Sequence, residues 1–111
     1  MAMTVFKYGD PEMVEHTPGA DVAIGDVIVT SGTARIAHHS IASGLLGAVA
    51  ANGGTYSVAG DAAIAADKKV YWVAASSKVS ETAGSNKVFG ITVTACTGDA
   101  ALCDVRHDVG V

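Results

Sequence analysis

Residues 69–95 read KVYWVAASSKVSETAGSNKVFGITVTA, and this stretch decides the fold class. β-Branched and aromatic residues fill positions 69–73, which is typical of a strand. After a small polar turn at 75–77, positions 78–82 alternate apolar and polar side chains with the period of two of a half-buried strand. Residues around Gly84 interrupt the pattern, and positions 88–95 resume it. We therefore predict three antiparallel strands in a meander, joined by short turns that fix the register.

The rest of the chain shows the same pattern of short apolar runs separated by turn residues. We predict strands over 3–8, 12–16, 45–51, 55–58 and 102–109, and a tight turn at 31–32. Positions 60–66 fit one helical turn or coil, because Ala favours helix. About nine short strands without a clear amphipathic helix indicate an all-β fold, a single small sandwich or barrel of short antiparallel strands with an extended N-terminal segment. We assign residues 1–16 to an N-terminal arm or first strands and residues 17–111 to the β-rich domain.

The chain is poor in charge. Charged residues make up 16% of the 111 residues, and the formal net charge is −4, whereas soluble domains average about 25% charged residues. Such a surface is typical of a protein that is covered by copies of itself or by a partner, although an ordinary Ala-rich domain is the alternative. The longest basic cluster is Lys68-Lys69, so we expect no nucleic-acid partner.

We also expect no membrane partner. The uncharged stretch 40–60 is interrupted by Gly, Asn and Ser well short of the ~20 apolar residues of a membrane span. Because the N-terminus lacks a signal-peptide pattern, we expect synthesis in a host cytosol.

The two cysteines leave two interpretations. Cys96 and Cys103 would lie opposite each other, and within bridging distance, if residues 97–102 join adjacent strands. We favour two small buried thiols instead, because a reducing cytosol keeps thiols reduced. Two cysteines at this spacing match no zinc motif.

No motif indicates catalysis. The chain lacks a GxSxG nucleophile elbow, a phosphate-binding GxxxxGK[ST] loop and a DxDxDG calcium loop. The histidines are predicted to be solvated side chains of loops or strand ends; they are His16, His38, His39 and His107. We therefore predict no catalytic, cofactor-binding or metal-binding residues, and a protein that is not an enzyme.

Several pieces of the chain, in order, resemble one family. The pieces are TPGADVA at 17–23, GDVIV at 25–29, IASGLLGAVA at 41–50, KVYW at 69–72, NKVFGITV at 86–93 and CDVR at 103–106. In this order and spacing they look like the small capsid cement, or decoration, proteins of tailed bacteriophages. The chain departs from the family pattern at Ala66, where the family commonly has Gly, in the turn 52–54 and in the tail beyond Arg106.

The resemblance implies a structural virion protein without enzymatic activity. Members of the family add to the outside of the phage head after the shell expands and stabilise it, often as trimers near three-fold positions. It therefore implies the major capsid protein as partner, a homotrimer, no cofactor, and location on the outer capsid surface after a period in the host cytoplasm. The rival function is a head-fibre base or glycan-binding module on the capsid surface.

We predict that the N-terminal segment docks on the capsid or on a neighbouring subunit. Its apolar side chains at Met3, Val5, Phe6 and Tyr8 are the candidate contacts, and filling of the core by Val5 and Phe6 is the alternative. Tyr71 and Trp72 point to opposite faces of one strand, so one is expected in the core and the other at a subunit interface. We take Trp72 as the candidate interface residue of this pair.

Overall fold

A computed structural model of the protein describes residues 4–29 and 33–111, and the turn predicted at 31–32 lies outside these ranges. The described ranges contain no helix and ten strands, so the prediction of an all-β fold is confirmed. The strands are β1 Thr4–Tyr8, β2 Glu12–His16, β3 Val27–Val29, β4 Ala34–Ala37, β5 Gly47–Asn52, β6 Thr55–Ala59, β7 Lys69–Val73, β8 Lys78–Ser80, β9 Lys87–Thr92 and β10 Leu102–His107. No part of the described chain forms a helix that is long and apolar enough to cross a membrane.

The strands form two antiparallel sheets that pack as a sandwich. The larger sheet has the order β1-β6-β10-β9-β7-β8, and the smaller has the order β2-β5-β4-β3. Alternation along β10 follows the period of two that the sequence predicts, with Cys103, Val105 and His107 buried and Leu102 and Arg106 exposed. Residues of both sheets fill the main core; its members are Ala34, Ile36, Ala50, Tyr56, Val58, Ile64, Val70, Trp72, Val79, Phe89, Cys96, Cys103 and Val105.

Glycines allow two connections to cross at one corner of the sandwich. The β1–β2 turn and the β5–β6 turn both pass from one sheet to the other, because β1 pairs with β6 and β2 pairs with β5. Gly9, Gly53 and Gly54 have positive φ angles, and a Cβ on Gly9 would lie 2.9 Å from the Cα of Gly54. The corner therefore requires residues without a side chain, and it makes residues 4–16 part of both sheets.

The predicted meander is wrong in its pairing. β8 pairs with β7, but β9 pairs with β7 and β10, so β7 lies between β8 and β9. The six residues 81–86 explain the difference, since a chain of this length spans roughly 20 Å and two strand spacings are only about 10 Å. The connection is long enough to carry the chain past β7 to its other side.

The strand at 45–51 differs from its prediction, and for 60–66 the structure decides between the two possibilities, a helical turn and coil, in favour of coil. The strand predicted over 45–51 begins only at Gly47, and Leu45 and Leu46 lie in the preceding turn, 61% and 66% exposed. The segment 60–66 forms no helical turn. Its backbone instead makes isolated bridges from Gly60 to Val79 and from Ile64 to Cys96.

Candidate docking surface

β1 is the edge strand of the larger sheet and exposes most of its apolar side chains. It pairs with β6 on one side, and its first residue is fixed to the 22–26 loop, since both the backbone N–H and the hydroxyl of Thr4 donate to the carbonyl of Gly25. Val5 is 64% exposed, and Phe6 and Tyr8 are exposed as well. An edge strand presents backbone N–H and C=O groups to a partner strand. β1 therefore combines an open edge with apolar contacts.

The two faces of β1 have different neighbours. Val5 lies on the outer face, opposite Ser57 of β6, and Lys7 on the same face forms an ion pair with Asp104 at 3.6 Å. Thr4 and Phe6 point to the other face, as the alternation of a strand requires. Phe6 lies there over the side of the sandwich, and Val5 and Phe6 both border one cavity beside the edge of the sheet.

A cavity of about 370 Å³ opens beside Phe6. Its lining residues are Thr4, Val5, Phe6, Ile24, Gly25, Ala37, His38 and Tyr56. None of these lining residues is a carboxylate, a lysine or an arginine. A volume of this size lies within the range of small-molecule and side-chain sites, which are mostly apolar with a few polar groups.

Aromatic rings connect this cavity to the core. The ring centroid of Phe6 lies 4.9 Å from that of His38 and 5.4 Å from that of Tyr56. Tyr56 in turn lies 5.9 Å from His107, whose ring is 5.4 Å from Phe89. Tilted and edge-to-face contacts at these distances are the favourable geometries of aromatic pairs. The floor of the cavity is therefore supported by a continuous row of packed rings.

Two polar groups lie in the floor of the cavity. His38 Nε2 and the Tyr56 hydroxyl form a hydrogen bond with each other. Burial lowers the pKa of His38, and the neighbouring His39 lowers it further. Burial also raises the pKa of Tyr56 above its usual value of 10.0. Both groups are therefore neutral near pH 7, and the cavity holds no charge.

The prediction that His107 is a solvated side chain at a strand end is wrong, because His107 is fully buried. The inward face of β10 carries it into the sandwich, where its Nε2–H donates to the carbonyl of Ala34 at 2.9 Å. Burial lowers its pKa, and this effect outweighs the hydrogen bond to Ala34 and the nearby charge of Asp108, which raise it. His107 Nδ1 is buried without a hydrogen-bond partner within the described ranges. The structure thus holds His107 as a neutral imidazole.

The candidate interface residues lie in different places. Val5, Phe6 and Tyr8 share the exposed edge strand, whereas Met3 lies outside the described residues. Trp72 is only 3% exposed and its ring lies 5.8 Å from Phe89, so it belongs to the core of this chain and has little surface for a partner. Its neighbour Tyr71 points to the outer face, where the ammonium of Lys69 lies over its ring.

The cysteine prediction is wrong, since the structure joins Cys96 and Cys103 by a disulfide. Their Cα atoms are 4.9 Å apart, because residues 97–102 turn the chain from the end of β9 back into β10. The signal for this pairing in the sequence is the short loop 97–102, which brings the two cysteines within bridging distance.

The sequence did not identify Ile24, His38 and Tyr56 as parts of a surface. In the sequence Ile24 is one apolar residue among several, and Tyr56 is an ordinary strand residue. They meet only because the 22–26 loop folds over the end of β4.

Within the described ranges there is also no group of three His, Cys, Asp or Glu side chains placed to hold a metal ion.

A comparison with protein families gives a match over most of the chain. The sequence model of the phage cement protein family matches residues 9–107. The chain belongs to this family. Comparison of this cement protein with curated proteins and with solved structures gave no match. The family is structural, which supports a role of the cement protein in the phage capsid.

The family match covers only part of the candidate surface. It begins at Gly9, so the whole of β1 precedes the matched region, while Ile24, His38 and Tyr56 lie within it. The motif NKVFG at 86–90 lies within the match as well. A Cβ on Gly90 would lie 1.8 Å from the carbonyl oxygen of Arg106, so the close contact of β9 with β10 explains this glycine of the cement protein.

Proposed function

We propose that the protein binds the outside of an expanded phage head, contacts the major capsid protein and stabilises the shell. The observation that carries this proposal is the match to the phage cement family over residues 9–107. The exposed apolar edge strand β1 gives this function a surface. The protein would be present in the host cytoplasm before assembly and on the outer capsid surface afterwards.

The open edge of β1 is the proposed contact with the capsid protein. Main-chain hydrogen bonds from an added strand would supply affinity, and the exposed side chain of Val5 would supply an apolar contact on the outer face. Tyr8, which is also exposed, extends this contact towards the corner of the sandwich. The segment of the capsid protein that pairs here is therefore expected to be extended and to have an apolar residue facing Val5.

We propose that the protein acts as a homotrimer. A shell-stabilising protein needs contact with more than one capsid subunit, and three copies in one assembly present three docking strands. Linking weak sites in this way raises the overall affinity without a strong single contact. The low proportion of charged residues supports association, because wide shared interfaces are depleted in charge at their centres.

Cosedimentation with shells tests the function. The full-length protein is mixed with expanded and with unexpanded shells assembled from the cognate capsid protein, and the bound amount is measured against the free concentration. We expect saturable binding to expanded shells at a fixed ratio per capsomer, and weaker binding to unexpanded shells. Absence of binding to both would contradict the proposal and favour the head-fibre or glycan-binding function, which an array of surface glycans would then test.

A further inference from the structure

The disulfide lies under a short segment of the chain, residues 60–64, which we call the cover segment. The cover segment is buried at its two ends, Gly60 and Ile64, and exposed at the three positions between them. A Cβ on Gly60 would lie 2.8 Å from Cys96 Sγ, so the backbone of the cover segment passes close to that sulfur. Cys96 is 2% exposed and Cys103 is 4% exposed. A dissolved reagent is therefore kept from the two sulfur atoms while this part of the fold is closed.

Four backbone hydrogen bonds tie the cover segment to the loop that the disulfide closes. Ile64 and Cys96 exchange two of them, at 2.9 and 2.8 Å. Gly60 N–H donates to the carbonyl of Ala101 at 3.0 Å, and Ala100 N–H donates to the carbonyl of Gly60 at 2.8 Å. The disulfide therefore holds the hydrogen-bonding partners of the cover segment in place, and the cover segment in turn shields the disulfide.

The cover segment can open without disturbing either sheet. The bridges that Gly60 and Ile64 form lie outside the named strands, whereas Cys103 lies within β10 of the larger sheet. Segments with few buried contacts open locally at a lower free energy than the sheets beneath them. Ile64 is a member of the main core, so its side chain is the anchor that keeps the cover segment closed.

From this arrangement we infer that Cys96 and Cys103 form a redox switch that controls the cover segment. In a reducing compartment the pair stays as two thiols, and the cover segment opens readily. In an oxidising environment the disulfide forms, the loop 97–102 is closed, and the cover segment shields the new bond from reductants. The inference rests on the proposed function for the place of each state, which is the host cytoplasm before assembly and the phage particle outside the host afterwards.

Closure of the switch is a two-electron oxidation by a small-molecule disulfide such as oxidised glutathione. The thiolate of one cysteine attacks this reagent, forms a mixed disulfide and releases one small thiol. The second cysteine then attacks the mixed disulfide, forms the Cys96–Cys103 bond and releases the other small thiol. The protons of the two protein thiols are taken up by the two small thiolates that leave. Because the two Cα atoms are 4.9 Å apart, the second step needs no rearrangement of the strands.

Reduction kinetics of the full-length oxidised protein test whether the cover segment shields the disulfide. The protein is treated with dithiothreitol at neutral pH, free thiols are alkylated at timed intervals, and the alkylated fraction is measured by mass spectrometry. We expect reduction of the folded protein to be at least about tenfold slower than reduction of the same protein in urea, because access requires opening. In Ile64→Ala the cover segment loses its anchor, so reduction should be at least about tenfold faster than in the wild type.

The matched control for this variant is Ile41→Ala. Ile41 is 4% exposed and also forms an isolated bridge, with Val22, but it packs in the second cluster, away from the cysteines. Its variant should be reduced at the wild-type rate. Circular dichroism verifies that both variants are folded, and Ile64→Val and Ile41→Val replace them if either is not. Equal rates in folded and unfolded protein, or equal acceleration by both variants, would overturn the inference.

Hydrogen exchange measures the effect of the disulfide on the cover segment. The backbone amides of Ile64 and Cys96 should exchange at least about tenfold faster in the reduced protein than in the oxidised protein, because reduction frees the loop that holds their partners. The amides of β5, in the smaller sheet, should exchange at the same rate in both forms. Unchanged exchange at Ile64 and Cys96 after reduction would contradict control of the cover segment by the disulfide.

Trapping of thiols in intact bacterial cells tests the two states of the switch. Cells that express the full-length protein are quenched with acid, alkylated and analysed by mass spectrometry, and the purified protein is analysed before and after exposure to oxidised glutathione. We expect both cysteines to be alkylated in the cells and bridged after oxidation. A disulfide already present in the cells, or two thiols that persist in oxidised glutathione, would overturn the inference. Cosedimentation is independent of these results, so a protein that switches but binds no shell would contradict only the proposed function.

Discussion

At the scale of single residues, the closest contacts are made by groups whose environment the sequence does not reveal. Gly90 lies against the backbone of β10, and His107 lies neutral in the core between Tyr56 and Phe89. In both cases the sequence shows a common residue in a strand, and the neighbouring strand determines what it does. Both positions give measurable predictions.

Gly90→Ala should destabilise the fold strongly. The new Cβ would overlap the carbonyl oxygen of Arg106, which belongs to the backbone and cannot move without breaking the β9–β10 pairing. We expect a loss of about 3 kcal/mol in the free energy of unfolding, measured by urea denaturation. Gly98→Ala is the control, because a Cβ there meets nothing within 4 Å. Equal stability of the two variants would contradict the close approach.

Burial of His107 should make the protein less stable in acid. Its pKa is lowered in the folded state, whereas the unfolded chain has the ordinary value of 6.5. Above that value the histidine is neutral in both states and stability does not depend on it. As the pH falls below the unfolded-state pKa, His107 binds a proton in the unfolded chain but not in the folded chain. The free energy of unfolding therefore decreases until the folded-state pKa is reached.

Urea denaturation between about pH 7.5 and about pH 5 measures this effect. His38 contributes in the same direction, since burial lowers its pKa as well. His107→Gln should reduce the pH dependence, and adding His38→Gln to it should reduce the dependence further. An unchanged slope in His107→Gln would show that this histidine is not the acid-sensitive group.

At the scale of elements, the exposed edges of the two sheets differ in composition. β1 has three exposed apolar side chains and one charged side chain, Lys7, which forms an ion pair with Asp104. β2, an edge of the smaller sheet, has one exposed apolar side chain, Met13, and two exposed carboxylates, Glu12 and Glu15. Charges on an edge strand oppose pairing with another strand. This difference explains why β1 rather than β2 is the proposed docking strand.

Val5→Lys should weaken shell binding at least about tenfold while the fold is retained, because a charge would replace the apolar contact on the outer face. Cosedimentation measures the affinity, and circular dichroism with thermal unfolding monitors the fold. Met13→Lys places the same side chain at an exposed apolar position of the other edge strand and should bind as the wild type. Equal losses in both variants would contradict a specific role of β1.

The disulfide should stabilise the end of the sandwich where β9 and β10 meet. Cys96 and Cys103 are separated by seven positions, and closing a loop of this length in the unfolded chain is worth about 2 kcal/mol in the chain-entropy model. We expect the thermal midpoint to fall when a reductant is added. The C96S/C103S variant should unfold at a lower temperature than the oxidised protein and be insensitive to the reductant. A reductant without effect on the wild type would contradict the bridge.

At the scale of the whole molecule, the surface determines how the protein associates. The chain has a net charge of −4, but the residues that line the cavity beside Phe6 include no Asp, Glu, Lys or Arg. Contacts made by apolar area alone differ from ion pairs, which salt screens. The proposed assembly therefore depends on buried area and on the number of linked copies.

Self-association should persist in salt. Between about 0.1 M and about 1 M sodium chloride the screening length falls from roughly 10 Å to roughly 3 Å, and this weakens the attraction between surface charges. We expect the mass measured by light scattering to be unchanged or larger at high salt. Dissociation into monomers at high salt would show that charged contacts hold the assembly together.

The sequence by itself determined the fold class and the family. Period-two alternation, β-branched runs and frequent turn residues are local properties of the chain, so the all-β fold and the inward face of β10 follow from them. The order of the short motifs was sufficient to recognise a phage cement protein, which the family match over residues 9–107 confirms. Val5, Phe6 and Tyr8 lie exposed on β1, and their role at an interface stays a prediction.

Only the tertiary structure decided which segments meet. The pairing of β9 with β10, the burial of His107, the disulfide, the exposure of Leu45 and Leu46, and the cavity formed by Phe6, Ile24 and Tyr56 all join residues far apart in the chain or depend on where a loop turns. The physical reason is that register and strand order minimise the free energy of two whole sheets packed together, and local preferences of a few residues cannot encode that choice.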